Sequence, residues 1–190
     1  MRKITLAICA FLSLTCFTKI YAQTDAEMKK WMEYMTPGDT HKMIAKSDGE
    51  WNADLTMWMP GNATPTKTTG SCTNSMLLGG RYQQSKYSAN MNGMPFEGIS
   101  TLAYDNALKK FISTWIDNMG TGITILEGTW DNATKSLNTK GKTMDPTTGK
   151  EVSMREVFKM IDDNTQMIEI YNTAGGKEYK SMEIKLTRKI

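Results

Sequence analysis

Histidine and cysteine are almost missing from this chain. Among 190 residues there are one histidine, His41, and three cysteines, Cys9, Cys16 and Cys72. A zinc site gathers several His, Cys or carboxylate ligands, and one His with one distant Cys does not assemble it. A Ser-His-Asp or Cys-His nucleophile would have to use His41. That residue sits among polar neighbours in a short helical stretch and reads as a solvated histidine. No catalytic residue, metal ligand or cofactor is therefore expected. Phosphate-cradling loops are missing too. The run DPTTGK at 145–150 lacks both the spacing and the following helix of a P-loop, so it reads as a turn.

Long apolar runs are confined to the N-terminus. Arg2 and Lys3 precede an uncharged apolar stretch at 4–17, and Ile20-Tyr21-Ala22 offers a cleavage site. That is the pattern of a secretory signal peptide. The stretch is shorter than the ~20 apolar residues of a spanning helix. Residues 1–22 are thus expected to be removed and the product exported, to the periplasm or outside the cell, with no integral membrane segment left. The cut takes Cys9 and Cys16 and leaves Cys72 without an internal disulfide partner. A lone Cys in an alternating strand pattern reads as a buried thiol. The cut also takes Arg2, Lys3 and Lys19, lowering the basic count from 23 to 20 against 20 acids. A neutral product has no electrostatic draw on nucleic acid, and none is expected as a partner.

What remains is organised in two parts. Residues 23–48 carry helical spacing. Asp25 is read as an N-cap, Met28, Trp31, Met32 and Met35 recur at three and four residues, and Pro37-Gly38 stops the run. Asp39 then caps a second short helix with Met43 and Ile44 as its apolar positions. These two helices could lid or plug the end of a barrel. From Gly49 onward the period becomes two. Trp51, Ala53, Leu55 and Met57 alternate with Asn52, Asp54 and Thr56. Turn signals follow at short intervals: Asn92-Gly93 as a hairpin turn, then Asp105-Asn106, Asp131-Asn132 and Gly175-Gly176. Gly79-Gly80 reads as a bulge. About ten strands result, with no crossover helix between them. The fold class is all-β: an antiparallel up-and-down β-barrel over 49–190, preceded by two short helices.

Several segments carry a family resemblance: LLGGRY at 77–82, MPFEG at 94–98, Tyr104-Asp105, STWIDNMGTG at 113–122, EGTWD at 127–131 and DPTTGK. Together they resemble a bacterial secreted family known only as domain of unknown function 1579. The resemblance implies a calycin, or lipocalin-like, barrel. Gly49-Glu50-Trp51 is similar to the lipocalin opening, where a Trp closes one barrel end. Ala103 stands where relatives tend to have Gly. The resemblance carries no reaction and no functional residue with it.

Charged and aromatic residues inside strands are the remaining candidates. After the cut the arginines are Arg81, Arg155 and Arg188. An inward Arg in a barrel needs a buried carboxylate or an anionic ligand. Arg81 and Arg155 could hold a ligand carboxylate, as related fatty-acid carriers do, or Arg81 could pair with Asp117 or Glu127. Tyr82, Trp115 and Met119 complete the candidate set, the last two beside a glycine-rich turn where a barrel mouth could sit. Sixteen methionines suit a plastic apolar cavity. The expected function is binding of a small apolar or amphipathic ligand. Two alternatives stand beside it: a cavity enzyme using paired carboxylates such as Asp117 and Glu127, and a filled barrel serving as an interaction module.

Overall fold

The computed structural model describes residues 24–59, 64–91 and 93–190. The signal-peptide stretch lies outside the described residues. Helices α1 (Asp25–Met35) and α2 (Asp39–Ala45) precede ten strands: β1 (Gly49–Met57), β2 (Thr66–Leu77), β3 (Tyr82–Met91), β4 (Met94–Asp105), β5 (Lys110–Asp117), β6 (Thr124–Asp131), β7 (Ser136–Asp145), β8 (Lys150–Asp162), β9 (Thr165–Ala174) and β10 (Lys177–Arg188). Each strand pairs antiparallel with the next. β10 returns to β1, with Trp51 opposite Arg188 and Met57 opposite Met182. The sheet closes as an up-and-down barrel of ten strands. Closure leaves no free strand edge.

Both helices begin one residue earlier than the sequence suggests. Thr24 caps α1, accepting from Glu27 N while Glu27 accepts from Thr24 N in a capping box. Gly38 precedes α2, and its N–H donates to His41 Nδ1 at 3.1 Å. His41 is therefore not the solvated residue its neighbours suggest. It is 5 % exposed, edge-on to Tyr104, and burial lowers its pKa below 6.5. Tyr104 reaches it from β4, a long-range contact that the local pattern around His41 does not mark.

The two helices differ in role. α1 buries no residue, and its ties to the barrel run through Asn106, which donates to Tyr34 O and Thr36 O. α2 closes one end of the barrel. Its Ile44 packs on Phe111 and Leu137, with Trp130 and Phe158 around them. A second apolar cluster joins Trp51, Leu55, Cys72, Ile184 and Leu186. Each large side chain so buried contributes roughly 1.5–3 kcal/mol. Gly79-Gly80 forms the turn from β2 to β3 rather than a bulge. Leu78, Gly79 and Gly80 all take positive φ there.

Hydrogen bonds finish the α2 end. The last carbonyls of a helix lack intrahelical donors. Here the strands supply them. Gln83 Nε2 donates to Ile44 O at 3.0 Å and to Asp48 Oδ1 at 2.7 Å. Trp51 Nε1 and Asn74 Nδ2 both donate to Ser47 O. Arg188 Nη2 donates to Lys46 O and Nη1 to Asp48 O.

Candidate functional site

Alternation along each strand sends every second residue inward. The inward residues do not fill the space. A cavity of about 300 Å³ remains, reaching the barrel end opposite α2, and an inner pocket of about 70 Å³ lies beneath α2. Tyr87, Ser100, Ser113, Glu156 and Ile168 line both and form the neck between them. Four methionines, Met57, Met91, Met154 and Met182, line the larger cavity. Phe96 stacks on Trp115 with ring centres 6.3 Å apart, and Tyr87 meets Trp115 edge-on at 5.5 Å.

The structure separates the sequence candidates. Trp115 and Asp117 line the cavity, and Trp115 Nε1 donates to Asp117 Oδ2 at 2.7 Å. Met119 sits just outside, half exposed, its N–H donating to Asp117 Oδ1. The others are elsewhere. Arg81 is exposed in the β2–β3 turn and donates to Leu78 O. Tyr82 is exposed at the start of β3. Glu127 pairs with Lys110 on the outer face of the wall. Asp117 and Glu127 thus face opposite sides of the sheet. Arg155 also lies outside, held in a fork by Glu178 at 2.8 and 3.0 Å with its Cζ 3.9 Å from the Tyr171 ring centre. The partner that Arg155 needs is a surface glutamate, not a ligand.

The residue next to Arg155 faces in. Glu156 stands at the neck and makes no hydrogen bond or ion pair among the described residues. Some of its surface is accessible, but that surface belongs to the cavity. Burial raises its pKa from 4.5 to about 7. An unpaired buried carboxylate is costly, so the group holds its proton instead. Tyr87, beside it, is pushed well above 10 by burial, and burial lifts the Cys72 thiol to about 11. A thiol so placed is an inert core group.

Sequence reasoning passed over Glu156, yet a signal was present. Met154, Phe158 and Met160 line the interior at every second position of β8. Glu156 is in phase with them, and Arg155 is in phase with Ser153 and Lys159.

A family model described as protein of unknown function (DUF1579) matches residues 36–188. The chain belongs to this family. The DUF1579 match begins at Thr36, directly after α1, and takes in α2 and all ten strands. The cavity, its neck and its seal are therefore all within the DUF1579 region. No curated protein matches the chain. Among the described residues no three His, Cys, Asp or Glu side chains gather as a metal site, and no helix is long and apolar enough to cross a membrane.

Proposed function

We propose that this DUF1579 protein is an exported binding protein that holds a small apolar or amphipathic molecule inside its barrel. The observation that carries the reading is the cavity of about 300 Å³, walled by methionines and by the Phe96–Trp115–Tyr87 group. Its volume stands at the small end of the range for small-molecule sites, about 300–1,000 Å³. Flexible thioethers let such a wall adapt to its occupant. Export rests on Arg2, Lys3 and the apolar stretch that follows them.

Native mass spectrometry of protein purified from the exported fraction, followed by organic extraction, tests this reading. A reproducible adduct that the extract identifies as a small apolar molecule is the expected result. An adduct-free mass, together with no uptake of added apolar probes, would overturn it.

A second reading is favoured by Glu156 alone. A carboxylic acid with a pKa of about 7 in a mostly apolar cavity is suited to acid–base work. Asp117 lines the same cavity, so the pair to consider is Asp117 with Glu156. Turnover of a bound molecule that stops in Glu156→Gln would favour this reading over simple carriage.

A further inference from the structure

Several buried acceptors inside this barrel stand without donors. Glu156 faces the neck unpaired. Asn172 donates from Nδ2 to Ser181 Oγ at 3.2 Å, while its Oδ1, buried at the cavity wall, accepts nothing. Gln166 is 3 % exposed and lines the inner pocket with Oε1 unpartnered. Thr139 is opposite Glu156 across the β7–β8 ladder, and its buried hydroxyl is also unpartnered. A buried acceptor left alone costs about 1–3 kcal/mol, and a charged one more. Buried polar groups in native proteins nearly always have partners. Asn172 lines the main cavity and Gln166 the inner pocket, while Glu156 alone of these groups lines both, so it is the orphan that an occupant of the neck would meet. The charge is one-sided as well. Among the described residues, no Lys, Arg or His lines either compartment, and the carboxyl groups there are Asp117 and Glu156.

Resting on the binding reading above, we propose that the ligand is an apolar amine, its nitrogen held against the Glu156 carboxylate and its apolar body in the main cavity. An ammonium group brings three donors and the one charge the neck lacks. Ionised donor–acceptor pairs of this kind are roughly twice as strong as neutral ones. Tyr87, Ser100 and Ser113 add hydroxyl oxygens around the same point. Above about pH 7 a ligand carboxylate would instead meet an ionised Glu156 and no cation. That reverses the polarity expected from an inward arginine.

Amine binding and ionisation of Glu156 are then linked. The titratable group facing Glu156 is Tyr87 of β3, with Cys72 of β2 behind it, and burial keeps both protonated through neutral pH. Asp117 of β5 lines the same cavity, bonded to Trp115 and the Met119 N–H.

Octylamine, octanol and octanoate share one apolar body and differ only at the head. Their affinities for the purified protein, read by calorimetry, test the assignment. At pH 8 octylamine is still cationic, its pKa being close to the ~10.4 of lysine. The expected order is octylamine, then octanol, then octanoate, with about tenfold or more between the ends, and octylamine affinity rising about tenfold from pH 5.5 to 8. Glu156→Gln should remove the amine preference, bringing octylamine down to the affinity of octanol, with the circular dichroism spectrum of the variant reporting that it is folded. Octanoate binding as tightly as octylamine would overturn the amine assignment while leaving the binding reading intact. So would a flat pH dependence in the unaltered protein, or an amine preference that survives in Glu156→Gln. Binding of none of the three probes would overturn both.

Discussion

The guanidinium carbon of Arg188 lies 4.2 Å from the centre of the Trp51 ring. These residues face each other across the β1–β10 seam, the ladder that turns a sheet into a barrel. The same guanidinium donates to Lys46 O, Asp48 O and Asp163 O. It thereby ties the last strand to the first, to the cap beyond α2 and to the β8–β9 turn. Arg188→Ala should lower unfolding free energy by about 2–4 kcal/mol, since cation–π contact and charged hydrogen bonds are lost together. Arg188→Lys should recover less than half, because a point charge cannot reach three carbonyls at once. Urea denaturation measures both. A loss below about half a kcal/mol in Arg188→Ala would show that the seam closes without it.

Gly98 makes room for the cavity's main aromatic wall. A Cβ at Gly98 would lie 2.4 Å from the Trp115 ring. The ring is pinned by Phe96, Tyr87 and the bond to Asp117, so it cannot swing aside freely. Gly98→Ala should destabilise by roughly 1–3 kcal/mol through overpacking and should shift Trp115 emission. An unchanged emission spectrum with unchanged stability would mean that the wall relaxes around the methyl group.

Glu156 should make the protein less stable as pH rises. Its folded pKa of about 7 lies above the 4.5 it has when exposed, so the folded state binds more protons between these values. Stability is then greatest below about pH 4.5 for this group, falls as pH rises to about 7, and is level beyond. A change from 4.5 to about 7 corresponds to something near 3 kcal/mol. Glu156→Gln should flatten that slope and be more stable than the unaltered protein at pH 8. Parallel pH profiles for the two proteins would show that Glu156 reaches water or a partner.

Much of the fold was legible because its signals are local. Trp51, Ala53 and Leu55 alternate with polar residues and face the core. Asp145 accepts from Thr147 and Thr148, as the turn reading of DPTTGK requires. Closure itself rests on the long-range pairing of β1 with β10, which no local signal carries. The site was less legible because it depends on phase. Arg155 and Glu156 are adjacent, and one step along a strand moves a residue from inside to outside. Charge type drew attention to Arg155, whereas the apolar phase of Met154, Phe158 and Met160 marks Glu156. His41 shows a different limit. Its neighbours in sequence are polar, and Tyr104, which packs edge-on to it, is more than sixty residues away.

The seal at the α2 end governs exchange as well as stability. Ile44, Trp51, Gln83 and Arg188 shut that end with packed side chains and satisfied carbonyls. Any occupant of the cavity must arrive and leave through the opposite end. A newcomer cannot enter behind a molecule that is on its way out. Release is then a first-order step whose rate does not respond to how much competitor is present in solution.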